Sequence, residues 1–324
     1  MRALVQHSFG DPGQVLTVEE VPLPEPGPGE VRVRTLMAAV HNHDLLTAAG
    51  LYGIRPNLPA RAGSEAVGIV EALGEGVTSV EVGQRVAASA VGTWAERFIA
   101  PATGLIPVSD DLPDEAAAQL FAMPFSAVTL LNSLGLSEGD WLVQNAANGT
   151  VGRYVAMIAR ARGLNVLGLV RRGAAVDELA AAGIDRVVAT DADDWRTQVA
   201  EVTGGAPIRA GVDSVGGPAS RQVFSLLAPG GELVVFGAMD ALTVELNVAD
   251  LLFQGKTVRG FWLTKLMGTM TRQEREAGFT EVMTRIADGT LRLTAEAVFG
   301  LDQIDQAAAA NARPGRRGKV LLRP

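Results

Sequence analysis

The segment QNAANGTVG, residues 144–152, follows the apolar run WLV and precedes RYVAMIARARG. Its spacing puts Ala147, Gly149 and Gly152 at the three places where a dinucleotide fingerprint carries glycine. Those glycines serve a tight turn, close approach of backbone to pyrophosphate, and close packing of helix on strand. Alanine at the first place is tolerable where the turn keeps a negative φ. A strand before the turn and a helix N-terminus after it supply free N–H groups and a dipole that favour an anion. An ordinary βα connection has the same local form; the position at the head of a run of βαβ units favours nucleotide binding. The following strand then selects the nucleotide. NAD enzymes place an acid there for the ribose 2′-OH, whereas NADP needs cations for the 2′-phosphate. This strand ends in LVRRG with Arg171 and Arg172 and no acid. The expected cofactor is therefore NADPH, the alternative being two solvated arginines on a surface turn.

A second concentration of chemistry is HNHD, where His41, His43 and Asp44 lie close together. On a strand, positions i and i+2 share a face, so the two imidazoles invite a metal reading, but the neighbouring chain supplies no further ligand. Cysteine is absent, which removes disulfides, thiolate zinc clusters and thiol nucleophiles together. No metal is expected.

The elements that must position these groups fall into two textures. A 324-residue chain with 48% hydrophobic residues exceeds what one core usually absorbs. Up to about residue 120, short strand-like runs alternate with turns: VLTVEEV, GEVRVRT with its period-2 valines, EAVGIVEAL, QRVAASA and TWAERFIA. They suggest a small barrel or rolled sheet. Beyond it, strands beginning at Trp141, Asn165, Asp185, Ala210, Glu232 and Thr257 alternate with helical windows, the pattern of βαβ units and a parallel sheet. In VGRYVAMIARARG, Val151, Val155 and Ile158 share one face. After Trp262 come another helical window, a strand-like RLTAEAVFG, an Ala-rich helix and a final strand GKVLLRP. The net charge of −8, without a basic block, argues against nucleic acid as a partner. RPGRRGK near the C-terminus is read as solvated charge, with attraction to an acidic carrier protein as the alternative. With no signal-like N-terminus and no long apolar window, the expectation is a cytoplasmic protein with no membrane partner.

SEAVGIVEALGEGV is similar to the G-H-E-x-x-G-x-V signature of the medium-chain dehydrogenase/reductase superfamily, which the chain resembles over essentially its whole length. Five stretches in order, GLYGIRPNLP, GTWAE, QNAANGTVG, FGAM and RGFWL, resemble the NADPH-dependent 2-enoyl thioester reductases of mitochondrial type. The zinc-free quinone oxidoreductases are the next branch. The resemblance implies an α/β fold: a GroES-like catalytic domain at 1–120, an inserted doubly wound Rossmann domain at 121–260, and a return to the first domain at 261–324. It implies that Asn148, Gly149, Thr150, Val151 and Gly152 line the pyrophosphate and that Arg171 and Arg172 approach the 2′-phosphate. Phe236, Gly237, Ala238 and Met239, with Phe261, Trp262 and Leu263, would border the nicotinamide. Ser126 and Lys319 complete the implied cofactor set. Two departures stand out: the reductases read R-D-R at 171–173, and Met123 replaces a polar Asn. The superfamily's catalytic zinc places read His41, Ser64 and Met123, which leaves one ligand and no site.

The activity so implied is hydride transfer to Cβ of an α,β-unsaturated thioester, with an acid supplying the proton at Cα. Tyr52 is the candidate donor, since a phenol is ordinarily protonated at neutral pH. Its alternative is an aromatic lid on an apolar pocket. The other tyrosine, Tyr154, is read as packing or surface. Trp94 and Trp262 are core aromatics or substrate walls, and His43 and Asp44 cap a strand-to-helix junction or bond within the site. The alternatives of function are a quinone or enone reductase and a non-catalytic NADPH-binding protein. The family resemblance also implies a homodimer formed by pairing Rossmann sheet edges.

Overall fold

A computed structural model describes residues 1–324. The chain forms two compact units, one from Met1–Ala122 with Arg292–Pro324 and the other from Met123–Leu291.

The first unit is rich in strand: β1 (Arg2–Gln6), β2 (Leu16–Glu20), β3 (Glu30–Ala39), β4 (Ala60–Arg61), β5 (Glu65–Leu73), β6 (Arg85–Ser89), β7 (Arg97–Pro101) and β8 (Ile106–Pro107). The period of two in β3 has the expected cause. Val31, Val33 and Met37 are buried, whereas Arg32 and Arg34 point outward and meet Glu71 of β5 at 3.8 and 3.4 Å. Val31, Val33, Val70, Val86, Trp94 and Phe98 belong to one core cluster. Trp94 is fully buried and its indole N–H donates to the Ala39 carbonyl at 2.9 Å, so this tryptophan is a core residue. Chain direction changes after Ala39: a helix spans Asn42–Ala48, and the Asp44 carboxylate accepts from the His41 backbone N–H at 3.0 Å. The histidines of HNHD therefore flank a helix start instead of sharing a strand face, because the carboxylate satisfies a donor that a strand would have paired.

The second unit holds β9 (Trp141–Gln144), β10 (Asn165–Val170), β11 (Val187–Ala189), β12 (Ile208–Asp213), β13 (Leu227–Val235) and β14 (Thr257–Gly260). All pair in parallel, in the order β11-β10-β9-β12-β13-β14. This is the doubly wound dinucleotide order, and the winding reverses between β9 and β12. Helices cover the sheet, which explains the near-continuous apolar strands. The helix Thr150–Ala161 buries Tyr154, Val155, Ile158 and Ala159, so Tyr154 is a packing residue. The helix Gly217–Leu226 lies so close to β12 that a Cβ on Gly211 would come within 2.7 Å of Val223 Cγ1.

The chain returns to the first unit at Arg292 and not at residue 261. The intervening helix Arg272–Ala287 is held by the second unit. Phe279 stacks on Phe125 at 4.1 Å, a Cβ on Gly278 would meet Phe125 Cε2 at 2.6 Å, and Arg162 donates twice to Glu281 at 2.9 and 2.5 Å. The returning strands are β15 (Ala295–Gly300) and β16 (Lys319–Arg323). They pair in parallel, and β16 also pairs antiparallel with the end of β3 at Ala38 and Ala39. No helix is long and apolar enough to cross a membrane.

Substituting Gly211→Ala is expected to destabilise the protein by about 1–3 kcal/mol, the cost of overpacking a filled core. The check is the denaturant midpoint, which falls with its slope unchanged; an unaltered midpoint would refute the close packing of that helix on β12.

Candidate active site

In the second unit the turn after β9 is built around one unusual residue. Ala146 has a φ of 47°, a left-handed conformation that a residue with a Cβ rarely adopts. Ala147, at the first fingerprint place, keeps a negative φ, so the departure from glycine there is accommodated one residue earlier. The surroundings hold the turn. The Gly149 N–H donates to the Ala146 carbonyl at 2.8 Å, and the Gln144 amide donates to the Gly152 carbonyl at 2.7 Å. A Cβ on Gly152 would come within 2.8 Å of the Ala146 oxygen and 2.9 Å of Ala147 Cα, the close helix-to-turn packing that the fingerprint requires. The helix then starts at Thr150 with no side-chain cap and no acid in its first turn. Its N–H groups and positive end are open to an anion.

Beside this turn the tip of β12 ties the crevice together. Asn145 donates its amide to Asp213 Oδ1 at 2.6 Å and accepts the Ser214 N–H at 2.7 Å. Asp213 Oδ1 also accepts the N–H groups of Val215 and Gly216 at 3.0 and 3.1 Å. The Asp213 carbonyl accepts from Phe236 at 2.7 Å and from Gly237 at 3.2 Å, and the Met239 N–H reaches Ser214 at 3.1 Å. The Phe261 N–H donates to Val235 at 2.8 Å, and the Phe236 and Phe261 rings stack at 5.6 Å. Trp262, 40% exposed, precedes the short helix Leu263–Met267. Arg171 and Arg172 are exposed just past β10.

Residues 148–152, 171–172, 236–239 and 261–263 thus gather at the carboxyl ends of β9, β10, β13 and β14, where open parallel sheets take their ligands. Ser126 lies buried within the helix Ala122–Ser133. Asn145 and Asp213 escape a reading by fingerprint. Their signal is an acid closing the apolar run AGVD, since a buried carboxylate must be bonded.

The first unit carries a second polar cluster. His41 is fully buried at the end of β3, with Nε2 2.7 Å from Glu65 Oε2. Glu65 accepts in addition the N–H groups of Phe121 and Ala122 at 2.6 and 3.0 Å. His43 Nε2 lies 2.8 Å from Ser64 Oγ, and its ring stacks on His41 at 4.9 Å and tilts toward Tyr52 at 5.7 Å. Lys319, only 4% exposed, belongs to the same cluster through its charge interactions with Asp44 and Glu65. Burial decides the protonation here. It pushes the Glu65 carboxyl up from 4.5 to about 7, against the two backbone N–H bonds and Lys319. It pulls Lys319 down from 10.5 to about 8, with Arg316 acting in the same direction. Burial, with Lys319 and His43, holds His41 well below the usual imidazole range.

The zinc places do not fit a metal. His41 Nε2 is engaged by Glu65 and the Ser64 hydroxyl by His43, Met123 offers a thioether, and no group of three or more His, Cys, Asp or Glu is arranged to hold an ion. These side chains are partners of one another and not ligands. Because the folded Glu65 holds its proton to a higher pH than the unfolded chain, its contribution to stability is complete below about 4.5 and is lost as pH rises through about 7. Glu65→Gln lacks this titration. The stability advantage of the wild type over the variant is expected to shrink across that window in urea midpoints; an advantage constant with pH would contradict the raised carboxyl.

Comparison with known proteins follows the same division. Residues 27–110 match the alcohol dehydrogenase GroES-like domain and residues 150–283 the zinc-binding dehydrogenase family. The mitochondrial enoyl-[acyl-carrier-protein] reductase of Rattus norvegicus is 31% identical, covering 97% of this chain and 86% of its own length. The enzyme of that name from Homo sapiens is 31% identical over 99% of this chain and 88% of its own. The quinone oxidoreductase of Escherichia coli, solved as a complex with NADPH, superposes with a TM-score of 0.89 at 25% identity, covering 100% of both chains. With two domain families matched in chain order and whole-length relatives above 30% identity, the chain belongs to the medium-chain dehydrogenase/reductase superfamily of oxidoreductases.

Proposed function

We propose that this protein is an NADPH-dependent reductase that saturates the C=C bond of a 2-enoyl thioester without a metal. The observation that carries the reading is the phenol of Tyr52 set against His43 in a cluster with no metal donor set. Two features of the second unit support it: the open helix N-terminus after β9 and the cationic pair beyond β10. The whole-length relatives named enoyl reductases point the same way.

The residues present suit NADPH. Residues 148–152 receive the pyrophosphate through the N–H groups of Thr150, Val151 and Gly152 at the helix start, Arg171 and Arg172 the 2′-phosphate, and residues 236–239 and 261–263 the nicotinamide side; Ser126 completes the set in the second unit. When bound, NADPH supplies hydride to Cβ of the enoyl group. Tyr52 donates its phenolic proton to Cα and hydrogen-bonds the charge that develops on the thioester oxygen. Without a Lewis acid to polarise a simple carbonyl, the favoured acceptor is one already conjugated.

A quinone reductase is the second reading, favoured by the structural likeness to the Escherichia coli quinone oxidoreductase. We also infer a homodimer. β14 ends the six-stranded sheet, and the nearby segment exposes Leu242, Leu252 and Phe253, an apolar surface of the kind a second copy covers.

NADPH oxidation measured with crotonyl-CoA, a longer enoyl-CoA and a simple quinone in parallel tests the reading. Enoyl-CoA is expected to saturate, and Tyr52→Phe to lower kcat by roughly 10²–10⁴-fold with little change in KM, the usual range for a general acid. Turnover of the quinone alone, with a silent Phe variant, would assign the protein to the second reading. Replacing Arg171 and Arg172 together by Ala is expected to weaken NADPH binding by about tenfold or more while leaving NADH unaffected, since charge-assisted bonds of ~1.5–3 kcal/mol are lost. Equal weakening of both nucleotides would remove the arginines from the 2′-phosphate.

A further inference from the structure

The proposed reaction leaves His43 unused, although it is the imidazole whose ring lies against Tyr52. It sits in the first turn of the helix Asn42–Ala48 and is held on three sides. Nε2 is 2.8 Å from Ser64 Oγ and 3.6 Å from Asp44 Oδ1, and one ring face stacks on His41 with an interplanar angle of 12°. The ring centroid lies 5.7 Å from that of Tyr52 at an angle of 33°. Its side chain is 27% exposed, whereas His41 is sealed from solvent. His43 is therefore the group of this cluster that meets both water and the phenol. A phenol that gives up its proton in each cycle must recover one, and imidazole is the side chain suited to exchange protons near neutral pH.

We propose that His43 returns a proton to Tyr52 after each turnover, acting through the phenol and oriented by the Ser64 hydroxyl. The inference rests on Tyr52 being the acid. As Tyr52 protonates Cα, its O–H bond breaks, a C–H bond forms and a phenolate remains. The imidazolium N–H of His43 then breaks as the phenol O–H re-forms, directly or across one water. The neutral imidazole takes its next proton from solvent. The groups facing it allow this cycle. On its own helix the Asp44 carboxylate lies 3.6 Å from His43 Nε2, and Lys319 of β16 is buried in the same cluster. His41 is held neutral, and Glu65 of β5, raised to about 7, is largely uncharged below neutral pH.

Single-turnover kinetics distinguish this role from a structural one, because the first turnover uses the proton already on Tyr52. His43→Ala and His43→Asn, assayed with saturating NADPH and enoyl-CoA, are expected to keep the single-turnover rate within about twofold and to lose about tenfold or more in steady-state kcat, with KM little changed. Added imidazole should restore part of the steady-state rate of the Ala variant. Ser64→Ala, which keeps the ring but frees it, should lose roughly threefold in the steady state alone. Equal losses in both regimes, no loss in either, or no response to imidazole would overturn the proposal. Tyr52→Phe separates the two levels. If it leaves the single turnover intact, the acid assignment fails and the proton return with it. If it abolishes that turnover while both His43 variants keep their steady-state rates, only the proton return is wrong.

Discussion

The second unit depends on one buried bond, that between Asn145 at the tip of β9 and Asp213 at the tip of β12. These strands are neighbours only because the order of winding reverses between them, so their ends diverge into a crevice with no covering connection. A carboxylate sealed there without donors would cost several kcal/mol. Asp213 instead collects a side-chain amide and two backbone N–H groups on one oxygen, while its carbonyl anchors Phe236 and Gly237. One residue thereby fixes the turn before the helix Thr150–Ala161 and the loop after β13. The left-handed Ala146 sits immediately beyond Asn145, so the strain is held where the anchoring is densest.

The first unit solves a related problem with titratable groups. Where zinc-dependent members of the superfamily place ligands, this chain places side chains that satisfy one another. Glu65 closes the start of the helix Ala122–Ser133 through two backbone donors and still meets His41, which leaves His43 free to face Tyr52. Burial then brings Glu65 and Lys319 toward one another in proton affinity, about 7 against about 8.

Much of this was legible in the chain. The strands at Glu65–Leu73 and Asn165–Val170 begin and end where the apolar runs EAVGIVEAL and NVLGLV do, because both faces or one whole face of each is buried. The tight turn between β9 and the helix Thr150–Ala161 could be read from Gly149 and Gly152, whose lack of a Cβ is a steric necessity at Gly152. Other features depend on partners distant in sequence. The resemblance places the stretch 261–291 in the returning domain, and nothing local shows that Gly278 and Phe279 pack on Phe125, some 150 residues earlier. HNHD is compatible both with a continued strand and with a strand-to-helix cap, and the choice rests on Asp44 bonding backward to the His41 N–H, which propensity alone does not determine. The Asn145–Asp213 bond joins residues 68 positions apart and follows only once the strand order is known.

The pairing of β16 with β3 carries a consequence for the birth of the protein. Residues 123–291 are continuous and bring all six strands of their sheet, so this unit can acquire its structure as soon as it leaves the ribosome. The first unit has no such freedom. Its early strands must wait, with the partner edge of β3 at Ala38 and Ala39 unfilled, until residues 319–323 have been made. Until then residues 1–122 remain unfinished, and a long loop must close before their sheet is whole. Any delay in making residues 292–324 would leave a sticky sheet edge exposed to chaperones and to other nascent chains.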